Sequence, residues 1–142
     1  MVIQRIQSLY LLIAAVLMGV FTFLPVFDTV VDGANLSIGA LTTCGIARQS
    51  WVLLCLDVVI VALSAITIFK FKNLKFQARL CAVLMALILG LLATIAVMFF
   101  GLAAADMHWA IALPLLALVL VFLARRGILH DRKLLSDSER IR

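Results

Sequence analysis

Charge is scarce in this chain. Only 13% of its 142 residues are Asp, Glu, Lys or Arg, about half the share found in ordinary soluble domains. With 66% hydrophobic residues, it cannot furnish the polar surface that a water-soluble core of such apolarity would require, so a membrane is the solvent that suits it. Reactive motifs are missing as well. Cys44, Cys55 and Cys81 are scattered with no CxxC pair, which excludes a thiol-oxidising membrane enzyme of the usual kind. They read as small buried hydrophobes. The alternative is a disulfide between Cys44 and Cys55, which fall near the same membrane surface. There is no HExxH, no Gly-rich phosphate loop and no nucleophile–base pair, so no catalysis, cofactor or metal is expected. The net charge of +5 does not indicate nucleic acid, because no aromatic residues interleave with the basic ones to stack on bases.

What the chain does have is four long apolar runs. A span needs about twenty residues at 1.5 Å rise to cross roughly 30 Å of hydrocarbon. Segments of that size run over Ser8–Phe27, Trp51–Phe69, Leu80–Phe100 and Ala105–Ala124. Only helices satisfy their backbone in lipid without open edges. The expected fold is therefore an all-α membrane protein, a four-transmembrane-helix bundle forming one polytopic domain over residues 1–142. The head MVIQRIQ resembles the start of a signal peptide, but the apolar stretch after it is too long and no small-x-small site follows, so an uncleaved signal-anchor helix is expected.

Orientation follows from the cations. Arg5 precedes the first run. Lys70, Lys72, Lys75 and Arg79 separate the second from the third, and Arg125, Arg126, Arg132, Lys133, Arg140 and Arg142 follow the fourth. Eleven of the 12 Lys and Arg thus lie on one side, with Arg48 alone on the other beside Asp28, Asp32 and Asp106. The positive-inside rule then puts both termini in the cytoplasm. On this layout His108 and His130 face opposite sides and cannot share a metal. In the outer loop, residues 28–50, Asp32-Gly33 separates two β-prone stretches and predicts a small β-hairpin over the mouth of the bundle. The short FKNLKFQAR loop is suited to anionic headgroups. Ala82, Ala86, Gly90 and Thr94, at i+4 spacing, and Ala15 with Gly19 form small-residue stripes expected to face other helices.

Asp57 is the expensive residue. It lies six residues after Trp51, about 9 Å below the outer interface. An acid at a span centre costs about 2.5–3.5 kcal/mol, somewhat less at that depth. Counting inwards places Thr22, Thr94 and Pro114 at a similar level, with the Ala110 carbonyl freed by the proline ring. A polar layer of Thr22, Asp57, Thr94 and Pro114 is expected, with Arg48 and His108 as candidate charge partners. It reads as interhelical glue or as a proton or cation site.

Beyond the fourth run, Arg125 and Arg126 can snorkel and Gly127 permits a break. Ile128, Leu134, Leu135 and Ile141 then share one helical face, with Asp131, Arg132, Lys133 and Glu139 mostly opposite. The expectation is an amphipathic cytoplasmic tail that lies on the inner surface or docks a partner through Arg125, Arg126, Asp131, Leu134, Leu135, Arg140, Ile141 and Arg142. SDSE at 136–139 also fits a capping box that would restart a helix there.

The opening MVIQRIQSLYLL and the closing LARRGILHDRKLLSDSERIR resemble a bacterial family of four-helix membrane proteins, domain-of-unknown-function family 4293, found in Bacteroidota. The resemblance covers essentially the whole chain. The family's tail reads ARRGI..DE.LV.S.DR.R. Arg125, Arg126, Gly127, Ile128, Asp131, Ser136, Arg140 and Arg142 match it, while His130, the DRK at 131–133 and Glu139 depart. The resemblance implies an inner-membrane location and a four-span layout, and attaches no reaction. The expected function is that of a non-enzymatic inner-membrane scaffold or accessory protein acting through its outer loop and tail. Its partners would be the lipid bilayer and a membrane protein or further copies of itself, with no nucleic acid. The alternative is a small proton- or cation-coupled transporter or channel subunit using Asp57.

Overall fold

The computed structural model describes residues 2–31, 33–39, 47–70, 72–101, 106–107 and 109–140. In chain order it contains α1 (Val2–Phe23), β1 (Pro25–Val31), β2 (Ala34–Gly39), α2 (Ala47–Phe69), α3 (Leu74–Gly101), β3 (Asp106–Met107), a 3-10 turn (Trp109–Ile111) and α4 (Ala112–Arg140). Each helix packs on the next, and α4 returns to α1 in the most extensive of the helix contacts. The result is an up-down-up-down four-helix bundle.

Each helix turns one seam inwards. On α1 the seam is Gln7, Leu11, Ala14, Met18 and Phe21; on α2 it is Leu53, Asp57, Ile60, Ser64 and Thr67. Spacings that alternate three and four are those of helices crossing at shallow angles with interdigitated side chains. The outward faces are apolar too: Leu12, Val16, Val58, Leu89, Leu116 and Val119 are all exposed. A water-soluble protein does not display hydrophobic surface on that scale. By length and composition all four helices are candidate membrane spans, the pattern of a multi-pass membrane protein.

The small-residue stripes do not face other helices as expected. Ala86 and Gly90 are exposed, and Ala82 and Thr94 are only half-buried. Nothing lies within 4 Å of where a Cβ would stand on Gly90 or Gly19. The inward seam of α3 belongs instead to Cys81, Leu84, Ile88, Leu91 and Ile95, because long side chains fill the centre of the bundle where small ones would leave voids. The small residues that do turn inwards are Ala14 on α1, Ala78 on α3, and Ala117 and Ala124 on α4. Cys81 is buried as expected, whereas Cys55 is free and exposed on α2; Cys44 lies outside the described residues.

The first helix ends at Phe23, before the expected Phe27. Pro25 has no N–H to continue it and disfavours helical geometry in the residue before. Pro25 instead opens β1, and Val26 is fully buried at the end of the bundle. The expected hairpin is present: β1 and β2 pair from Val31↔Ala34 to Pro25↔Gly39, with an irregularity between Pro25 and Phe27. Gly33 supplies the positive φ, 82°, that a two-residue turn requires. A third strand was not expected. β3 pairs with β1 through Phe27↔Met107 and Asp28↔Asp106, giving the order β2-β1-β3 and tying the α1–α2 and α3–α4 connections together.

The tail is also corrected. α4 runs unbroken for 29 residues, about 43 Å, passing through Gly127 without the expected break and through SDSE without a restart. Among described residues the only positive-φ glycine is Gly33, so Gly127 is not a helix-ending cap.

Candidate functional site

Two groups of polar residues are built into the bundle, one near the sheet and one at the opposite end. Near the sheet, Asp57 is fully buried on the α2 seam. The Thr22 hydroxyl, in the last turn of α1, hydrogen-bonds to its Oδ2. The same hydroxyl lies 3.1 Å from the Met18 carbonyl. A hydroxyl has one proton to give, so it cannot donate to both. Asp57 Oδ1 is buried with no hydrogen-bond partner among the described residues.

The rest of the expected layer does not assemble. Thr94 Oγ1 bonds back to the Gly90 carbonyl at 2.9 Å, which satisfies it within its own helix. It lines an open apolar groove of about 300 Å³ with Val52, Ala93, Val97 and Met98. Pro114 is buried in the first turn of α4, where the N–H it lacks would have had no helical partner, so it starts a helix and does not interrupt a span. His108 and the side chain of Arg48 lie outside the described residues. Of the four residues, the structure brings Thr22 and Asp57 into contact, while Thr94 bonds within its own helix and Pro114 stands in the first turn of α4.

At the far end, a group that the sequence did not announce locks α1 to α4. Gln7, almost fully buried, donates from Nε2 to Asp131 Oδ2 at 2.7 Å. The amide packs on Gly127, where a Cβ would stand 3.0 Å from Gln7 Nε2 and 3.2 Å from its Cγ. Gly127 is thus a point of close helix approach, the use of glycine that membrane helices favour. Its signal was present: Gln7 sits four residues before Leu11, on the same 4-3-4-3 seam as Ala14, Met18 and Phe21. Nearby on the other helices, Ser64 and Thr67 bond their own i−4 carbonyls at 2.8 and 2.7 Å, and Gln77 Nε2 reaches the Thr67 carbonyl at 3.5 Å.

The expected docking residues divide at this point. Arg125 is half-buried, with its Nε enclosed and unpartnered among described residues, and Asp131 is held by Gln7. Ile128 is fully buried and ends the α4 seam. Arg126, Leu134, Leu135 and Arg140 are exposed; Ile141 and Arg142 lie outside the described residues.

No curated protein and no solved structure matches the chain. A family model does, over residues 3–141, and spans both polar groups and the whole bundle. The chain belongs to the domain of unknown function family DUF4293.

Proposed function

We propose that this is a non-enzymatic scaffold or accessory protein of the inner membrane, with both termini in the cytoplasm, the sheet on the outer face and the projecting end of α4 as its docking element. The exposed Trp51 and Trp109 near the sheet support that placement, since indole rings favour the membrane interface. From Trp51 to Phe69 the α2 run covers about 27 Å, close to a hydrocarbon thickness. The charge asymmetry supports the sidedness.

The observation that carries the docking role is the exposure of Leu134 and Leu135, 51% and 54%, on a helix that continues past the last buried residue of its seam, Ile128. A membrane-protein partner with a complementary apolar and charged face would cover them. Removal of residues 133–142 is expected to abolish co-purification of a stoichiometric partner from native membranes while leaving the bundle inserted. If every co-purifying protein persists, the docking role is wrong.

The transport reading draws on one specific observation, the buried Oδ1 of Asp57, which has no hydrogen-bond partner among the described residues. The interior beyond it counts in favour of the scaffold: Met18, Phe21, Ile60 and Leu91 are fully buried apolar side chains of the core, a poor path for an ion. Proton or cation flux into proteoliposomes that disappears in Asp57→Asn would reverse the preference.

A further inference from the structure

Between the start of α3 and the projecting part of α4 lies an open groove of about 630 Å³. Lys72, Lys75, Arg79 and Arg132 line it, against a single carboxylate, Glu139. The Asn73 carbonyl accepts the Gln77 N–H at 2.9 Å, which makes Asn73 the residue preceding the first helical turn. The groove, also lined by Leu74, Lys75 and Phe76, therefore includes the positive end of a 28-residue helix. Three apolar side chains accompany the charges: Leu74, Phe76, which is 46% exposed, and Leu135.

Its depth identifies the ligand. Gln77 on α3 reaches the Thr67 carbonyl on α2, two residues before Phe69, where α2 ends. The groove cations at 72 and 75 thus flank the level at which the apolar run of α2 stops, the level of lipid headgroups. We propose that this groove binds the phosphate headgroup of an anionic phospholipid from the cytoplasmic leaflet, with Phe76 against the first part of its acyl chains. Clustered Lys and Arg at such a level are suited to that ligand chemistry. The site belongs to this chain's own fold, pairing two segments that are distant in sequence, and goes beyond partner docking. It rests on the membrane-spanning reading above.

The test uses the full-length protein in nanodiscs of phosphatidylcholine doped with phosphatidylglycerol, then transferred to detergent, with retained lipid counted by native mass spectrometry. Wild type is expected to keep phosphatidylglycerol in preference to phosphatidylcholine. Arg79→Gln with Arg132→Gln should lower that retention about thirtyfold, roughly fivefold for each cation removed. Glu139→Gln should raise it, and Lys133→Gln, off the groove, should leave it unchanged. Equal retention of both lipids, equal loss from Lys133→Gln, or displacement by millimolar inorganic phosphate would each overturn the proposal, the last by revealing a free-phosphate site. Both nanodisc leaflets are alike, so the outcome is independent of sidedness. A protein that fails to enter nanodiscs at all refutes the membrane reading, and one that enters without preference refutes only the lipid site.

Discussion

At the sheet end of the bundle, one carboxyl is met by one hydroxyl from the neighbouring helix. At the tail end, an amide, a glycine and a carboxylate bring together positions 124 residues apart. The first contact adds a hydrogen bond between helices already separated by long side chains. The second sets the separation itself, because Gln7 occupies the space that any side chain at 127 would need. Polar pairing and close approach are distinct ways to hold helices together in lipid, and the two ends of this molecule divide them.

If that division is right, Gly127→Leu should be the most damaging of the substitutions considered. Its Cβ alone meets Gln7 at 3.0 Å, and overpacking a tight contact costs about 1–3 kcal/mol. Unfolding of the purified protein in mixed micelles would measure it. Gln7→Ala in the same chain should return part of that loss by opening the space, a coupling that a double-mutant cycle reads directly. Additive effects would mean that Gly127 matters for some reason other than Gln7.

Thr22→Val comes next. It removes the only hydrogen bond that the Asp57 carboxyl makes among the described residues, a loss of about 0.6–1.7 kcal/mol on the scale measured for bonds between membrane helices. Thr22→Val combined with Asp57→Leu should recover stability, since replacing both members of a buried polar pair is far less costly than stranding one. A double variant that is stable and fully functional makes Asp57 glue; one that is stable and inactive makes it a site.

Gly90→Leu sharpens the contrast from the other side. Gly90 is exposed with nothing within 4 Å, and the change should move stability by no more than about 0.5 kcal/mol. Cross-linking of the same variant in membranes would show whether this outward face meets a second copy of the chain.

Hydropathy made the four helices legible because each run is both long and apolar, and the Asp32-Gly33 signal located the hairpin because a two-residue turn demands its own residue types. β3 was not legible: Asp106 and Met107 are strand by pairing alone, with β1 as template. Gly127 was misread for a different reason. Glycine after an apolar run ordinarily ends a helix, but here the helix continues and the missing side chain accommodates Gln7 from a distant helix. Thr94 and Pro114 were placed by depth, and depth fixes a level along the bundle without fixing a face. Thr22 and Asp57 met because both happened to share the level and the α1–α2 interface.

An effect on stability as small as that of Gly90→Leu is expected from the largest change to the sequence. Removing residues 133–142 deletes side chains that are exposed wherever they are described, while leaving Gln7 bound to Asp131 and Ile128 on its seam. Unfolding should shift by no more than about 0.5 kcal/mol, below the effect of Thr22→Val and far below that of Gly127→Leu. A larger shift would mean that the projecting helix packs back on the bundle, which would cover Leu134 and Leu135 from within and remove the reason to look for a partner there.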